Sequence, residues 1–354
     1  MKALLRRLLG EDTRRTLRSM FNRIDMCLLQ WFASAPLKPF ANVFYGVLNG
    51  EFSREHRAVI AGRKAYQASH GLRSGSAPML RRNIHRIEKG LSMSPRRSVF
   101  AEDYIQETVS IYLDAIQNGA ICKEELGWAR DVLSRYFQIV EPTSVVANAR
   151  LHFSEQESKS ATKVPYTSEE RQGPQVDFVH FMALCRQRRS VRWYQPKPVP
   201  DNLIDQAIGA ASQAPSACNR QAFRFFVAND ANLAPRIAAM AGGTAGFSDN
   251  IPCVLVVVGD LSAYAAERDR HLIYIDGALA SMQLMLALET LGLASCPINW
   301  PDLEVPEAKM AKRLGLAEYE RPVMLISVGY ALETGMIPFS QKKPVSQLRI
   351  DITP

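Results

Sequence analysis

Cysteine is scarce and scattered. Cys27, Cys122, Cys185, Cys218, Cys253 and Cys296 lie more than thirty residues apart. No Cys-x-x-Cys or Cys/His pair has metal-ligand spacing, so neither a metal site nor a disulfide framework is expected, and reduced thiols suit a cytoplasmic protein. No Gly-x-Gly-x-x-Gly follows an expected strand, which removes the dinucleotide-binding fingerprint. A secretory leader is not expected, because Arg6 and Arg7 break the run Ala3-Leu4-Leu5 at once. Uninterrupted apolar runs are also short. The longest, Gly277 to Leu288, is broken by Gln283 and then Glu289. It falls short of the roughly 20 residues that span a bilayer and reads as a buried helix.

Positive charge, by contrast, is plentiful and uneven. The 354 residues carry a net charge of +8, with 47% apolar residues, enough for a sizeable core. Residues 1–97 hold 19 Lys/Arg against 6 Asp/Glu, residues 98–180 hold 7 against 13, and the remainder is nearly balanced. The basic front suggests an anionic neighbour, a membrane surface or an acidic polymer, with no specific nucleic acid indicated. It would then sit at the inner face of the membrane. Solvated surface gives the same composition.

From Leu17 to Phe32 the apolar residues recur at helical spacing beside Arg14, Arg15, Arg18 and Arg23. Such a helix can lie in a membrane interface or pack on its own protein. Pro36 and Pro39 end it. Further basic helices are expected over 53–69 and 79–90, the second closed by Gly90 as the residue after the cap. Arg82, Arg86 and Lys89 fall along one face of it, able to grip an anion or simply to be solvated. Helices also fit 101–118 and 123–138. The polar, aperiodic stretch 153–175 reads as a linker. The organisation expected is a helical extension over 1–152, that linker, and a catalytic domain over 176–354. In the last, helices fit 178–187, 201–213 and 273–291, and strands fit 223–228, 254–259 and 324–330. Gly242-Gly243-Thr244-Ala245-Gly246 reads as a mobile loop.

Three groups of residues could carry chemistry. Arg188, Arg189, Ser190 and Arg192 combine guanidinium forks with a hydroxyl, a set suited to phosphate oxygens. Pro215-Ser216-Ala217-Cys218-Asn219, followed by Gln221, supplies backbone and amide groups, and Asn219 can both donate and accept to a flat heterocycle. Near the C-terminus, Gln341-Lys342-Lys343-Pro344 offers two cations.

In order and spacing these motifs resemble the FMN-dependent nitroreductase family over about 178–350. The loop is similar to Pro-Ser-x-x-Asn-x-Gln-Pro-x-x-Phe, with Ala222 in place of the proline. Asp276-Gly277 opens the long helix, which leads to the family's turn at Cys296-Pro297-Ile298-Asn299-Trp300. The resemblance implies an α+β fold, a mixed or antiparallel sheet flanked by helices, with the all-helical extension in front. It implies FMN at a homodimer interface, with NADH or NADPH as hydride donor and a small-molecule acceptor, aromatic, quinone or nitro. Arg188, Arg189, Ser190, Arg192 and Lys342 (or Lys343) would hold the phosphate. Pro215, Ser216, Ala217, Asn219 and Gln221 of the other subunit would meet the ring, and the backbone at Pro297, Ile298 and Asn299 would face flavin N5. No protein acid, base or nucleophile is required, because the flavin carries the electrons. Many members have Glu-Gly where this chain has Asn299-Trp300, and an indole beside the ring would alter substrate access. Specialised chemistry on the same fold, dehalogenation or flavin modification, is the alternative. A non-catalytic module working through the basic front half is another.

Overall fold

The computed structural model describes residues 41–43, 45–46, 50–68, 76–119, 121–158 and 160–353. The chain divides into two compact units, Met1–Arg57 and Ala58–Pro354; the core, the sheet and the candidate site described below belong to the second. The amphipathic segment Leu17–Phe32 lies outside the described residues.

Between Ser53 and Phe153 the described residues form the helices α1 (Ser53–Ala68), α2 (Pro78–Leu91), α3 (Ile105–Asn118), α4 (Lys123–Ile139) and α5 (Ser144–Phe153). Helices α2 to α5 enclose a core of their own. In it Leu80, Ile84 and Ile87 meet Val109 and Tyr112, Val132 and Tyr136, and Phe153. Each such aliphatic side chain contributes roughly 1.5–3 kcal/mol when withdrawn from water. Only Val146, Ala149 and Phe153 of α5 are buried, too weak a periodic signal to announce that helix. Gly90 does not end α2, which runs to Leu91 with Ser92 as its cap. It is glycine for a packing reason: the Phe100 ring stands where a β-carbon would go.

Residues 154–175 contain 3₁₀ turns at Ser154–Gln156 and Ser168–Glu170. The stretch is tethered nonetheless. The Asp131 carboxylate accepts the backbone N–H groups of Thr162 and Lys163 at 3.0 and 3.1 Å. Burial works to raise the Asp131 pKa, but the two backbone bonds and Arg130 outweigh it and the net shift is downward.

The C-terminal half runs α6 (Phe178–Gln187), α7 (Asp201–Ala211), β1 (Phe223–Ala228), α8 (Leu233–Ala238), β2 (Cys253–Asp260), α9 (Leu272–Thr290), β3 (Ala294–Asn299), α10 (Glu304–Leu314), β4 (Glu320–Gly329) and α11 (Val345–Leu348). The four strands form one antiparallel sheet in the order β1-β2-β4-β3. Every residue of β2 from Cys253 to Gly259 is buried, because helices cover both faces. Val254, Val256 and Val258 point into the core shared with α8 and α10. Cys253, Leu255 and Val257 point into the core shared with α7 and α9. An uninterrupted apolar run is what a strand covered on both faces needs. Gly259 lets the end of β2 approach α9, since a β-carbon there would lie 2.6 Å from that of Ile273. Gly242–Gly246 is anchored rather than loose: buried Thr244 donates its hydroxyl to the Ala238 and Ala241 carbonyls at 3.0 and 3.1 Å.

Candidate cofactor site

The basic cluster lies on the outer edge of the sheet. Asp177 caps α6 by accepting the His180 N–H at 2.8 Å, and the helix ends at Gln187 so that Arg188 turns away from it. Ser190 then forms a parallel bridge with Ser295 of β3, and the Val191 N–H donates to the Ser295 carbonyl at 3.1 Å. Along this run the Arg188 Nε is buried with no hydrogen-bond partner, as is the Ser295 hydroxyl. Buried donors left unsatisfied cost of the order of 1–3 kcal/mol each, more when charged. The Arg189 N–H bonds the Glu289 carboxylate at the end of α9, and burial raises the Glu289 pKa against the pull of Arg188. Arg192 is fixed by its carbonyl, which accepts from Asn250 Nδ2 at 2.9 Å, and its guanidinium lies 5.8 Å from the Phe247 ring. Burial also raises the Cys296 thiol pKa, although Arg192 and Ser190 lean the other way.

Loop 215–221 is a second, separately built piece. Cys218, Asn219 and Gln221 all have positive φ, at 52°, 51° and 49°. Non-glycine residues adopt that region at a cost, so surrounding bonds must hold them there. The Ser216 carbonyl accepts the Asn219 N–H at 3.0 Å, and its hydroxyl accepts the Gln221 N–H at 3.1 Å. Gln221 Nε2 donates to Asn219 Oδ1 at 3.1 Å, which leaves Asn219 Nδ2 as the donor for a ligand. From α9, the Asp276 carboxylate accepts the Ala217 N–H at 3.0 Å and the Tyr264 hydroxyl at 3.3 Å. Arg220, itself buried, stacks 4.9 Å from the Tyr264 ring. Asp276 was legible only as the start of the helix, because nothing local in the sequence ties it to a loop 59 residues away.

The segment Pro297–Asn299 is strand, not turn. Since the Ser295 carbonyl points to the free edge of β3, alternation turns the backbone of Pro297 and Asn299 outward and that of Ile298 toward β4. Of the side chains, those of Pro297 and Asn299 are exposed on one face, while Ile298 and Trp300 are buried in the core on the other. The Trp300 indole, expected to stand beside a ring, therefore packs inward with Ile298.

These pieces do not meet within one chain. The loop is bound near the beginning of α9 at Asp276, the basic cluster near its end at Glu289. At about 1.5 Å per residue these points stand about 20 Å apart along the helix. The C-terminal tail leaves the sheet beside the cluster, where the Leu332 N–H donates to the Trp193 carbonyl at 2.9 Å. Beyond it Lys342 and Lys343 are exposed, and among the described residues neither forms an ion pair with an acidic group.

FMN fits the donor set. The partnerless Arg188 Nε and the Ser190 segment suit a phosphate, and the strained loop and the outward edge of β3 carry polar groups of the kind a flat heterocycle can bond. The basic face of α2 does not add to this: Arg86 is used internally, 3.6 Å from Asp103 and stacked 3.7 Å over the Tyr104 ring.

The model of the nitroreductase family matches residues 185–245 and 239–330. A protein of Thermus thermophilus named NADH dehydrogenase is 30% identical over 179 residues, covering 42% of this chain and 85% of that protein. Iodotyrosine deiodinase 1 of Pongo abelii is 25% identical over 202 residues, covering 48% of this chain and 68% of the relative. Among solved structures, an FMN-dependent nitroreductase from Clostridium difficile aligns over 49% of this chain and 99% of its own, at 20% identity and a TM-score of 0.42. The chain therefore belongs to the nitroreductase family, through its C-terminal half.

Proposed function

We propose that the protein is an FMN-dependent oxidoreductase whose site is completed by a second copy of the chain. FMN, when bound, would supply hydride chemistry at N5 between NADH or NADPH and a small aromatic, quinone or nitro acceptor. The protein's share is binding and orientation. Arg188, Arg189, Ser190 and Arg192 of one copy bind the phosphate, with Lys342 or Lys343 as a further cation. Loop 215–221 of the other copy would hold the ring through Asn219 Nδ2, with the outward backbone of Pro297 and Asn299 as a further polar contact.

The observation that carries this reading is the buried Arg188 Nε, bonded to nothing and set beside Ser190 on the free strand edge. The split of the site supports the dimer, as do the exposed apolar residues Ile275, Leu279 and Met282 on α9 and Phe178 and Val179 on α6. The test is the visible spectrum of the purified protein before and after anaerobic NAD(P)H. Flavin absorbance that bleaches on reduction is expected; a colourless protein that takes up no added FMN would end the proposal.

A second reading, reductive dehalogenation of an aromatic substrate, draws on the similarity to the deiodinase. It predicts halide release from a halogenated phenol under reducing conditions, together with poor turnover of quinones and nitroaromatics.

A further inference from the structure

Loop 215–221 is held not only from α9 but also from the helical front of the chain. Arg81, in the first turn of α2, donates Nε to the Asn219 carbonyl at 2.7 Å, across 138 residues of sequence. Its Nη1 donates to Glu125 Oε2 at 2.9 Å, and its guanidinium lies 5.3 Å from the Trp128 ring. Glu125 is in turn fixed. It accepts the Ser76 hydroxyl at 2.9 Å and the N–H of Ala77, the N-cap residue of α2, at 3.0 Å. The ion pair is largely out of water, with side-chain exposures of 13% and 3%. The guanidinium thus has its charge matched, its flat face covered and one N–H directed at a carbonyl of the strained loop. Every residue that holds Arg81 belongs to the part of the chain with its own core, Ala77 to Phe153.

We propose that Arg81 is a positioning residue for loop 215–221, and that residues 77–153 are a built-in clamp on that loop. The clamp is a statement about the free protein; its consequence for cofactor affinity rests on the FMN reading above. Fixing the Asn219 carbonyl sets the peptide plane on one side of Asn219, and Gln221 fixes its amide on the other. Together they keep Nδ2 aimed before any ligand arrives, so less ordering remains to be done on binding.

The test uses the full chain and two readouts. Hydrogen exchange on the FMN-free protein reports the peptide spanning 214–222, which contains the bonded N–H groups of Ala217, Asn219 and Gln221. Titration with FMN, followed by quenching of flavin fluorescence, gives the dissociation constant. Arg81→Ala is expected to speed exchange in that peptide about 10-fold or more and to weaken FMN by a similar factor, the scale of a lost charge-assisted hydrogen bond. Arg81→Lys, which keeps a charged donor but not the fork that spans Glu125 and Asn219, is expected to recover part of both. Phe153→Leu is the control, because it loosens the helical core at 0% exposure without touching Arg81. It is expected to lower the melting temperature and leave both readouts unchanged. Unchanged loop exchange in Arg81→Ala, or equal loosening in Phe153→Leu, overturns the clamp. A wild-type chain that binds no FMN ends the cofactor reading, while loop exchange still decides the role of Arg81.

Discussion

The backbone N–H of Ala217 donates to the carboxylate of Asp276 at 3.0 Å, tying the tightest part of loop 215–221 to the buried face of α9. Burial raises the Asp276 pKa, and the Ala217 N–H, the Tyr264 hydroxyl and Arg220 offset only part of that shift. The folded protein therefore holds this proton more tightly than the unfolded chain. Its contribution to stability is greatest below the ordinary aspartate value of 3.8 and declines as pH rises through the folded-state value.

Asp276→Asn keeps an oxygen for both donors and cannot ionise. Its melting temperature relative to wild type should therefore move in the variant's favour between about pH 4 and pH 7. A gap that stays constant over that range would contradict the assignment. Asp276→Leu, which leaves the Ala217 N–H and the Tyr264 hydroxyl unpaired, should cost about 2 kcal/mol or more at any pH.

Arg188 and Arg86 are both half-buried arginines, yet removal should affect them differently. Arg188 keeps a buried donor without a partner, whereas Arg86 is engaged by Asp103 and Tyr104. Arg188→Ala is expected to weaken FMN about 10- to 100-fold, the scale of a charged hydrogen bond. Arg86→Ala should leave flavin content at the wild-type level. Equal flavin retention in the two proteins would move the phosphate away from the 188–192 cluster.

Much of this architecture could be read from the chain because the signals are local. The aromatic and β-branched residues of Phe223–Ala228, the valine run of β2 and the long apolar run of α9 each sit within one element. Strand β3 hid for a physical reason: Pro297 looks like a turn residue, and only an edge position, where no N–H is needed, admits it to a strand. Alternation from that strand then decides which way Asn299 and Trp300 face, so an error of element type becomes an error of side-chain direction. The partnerships of Asp276 with Ala217 and of Arg81 with Asn219 join residues 59 and 138 positions apart. No local pattern encodes them.

Arg321 shows how an arginine near the sheet can have its charge met within the fold, although its Nη1 is also buried without a hydrogen-bond partner. Its side chain is 2% exposed and donates to both Glu307 oxygens, from Nε at 2.9 Å and Nη2 at 2.8 Å, with Asp302 beside it. Burial alone would lower its pKa, but the Glu307 bonds and the neighbouring negative charges outweigh that. Glu307→Gln leaves the guanidinium buried beside a neutral amide. It should destabilise the protein by about 3–5 kcal/mol in urea unfolding, the usual cost of breaking a buried pair. The FMN dissociation constant of the folded fraction should not change.

The last prediction concerns the dimer. Ile275, Leu279 and Met282 recur at helical spacing on α9 and are 52%, 44% and 41% exposed, an apolar stripe on a helix whose other face is core. Met282 stands about midway between Asp276, which holds the loop, and Glu289, which neighbours the basic cluster. A twofold axis passing near Met282 would exchange the two ends of α9 and bring the loop of one copy to the cluster of the other. The roughly 20 Å that separates the half-sites within a chain would then cease to matter. Leu279→Glu places a charge in the middle of that stripe, so it should give a monomer by light scattering and should lose flavin in the same step. Both effects should come from a residue that touches neither half-site. A monomer that kept full flavin affinity would show that one chain suffices, and the division of the site between two copies would be wrong.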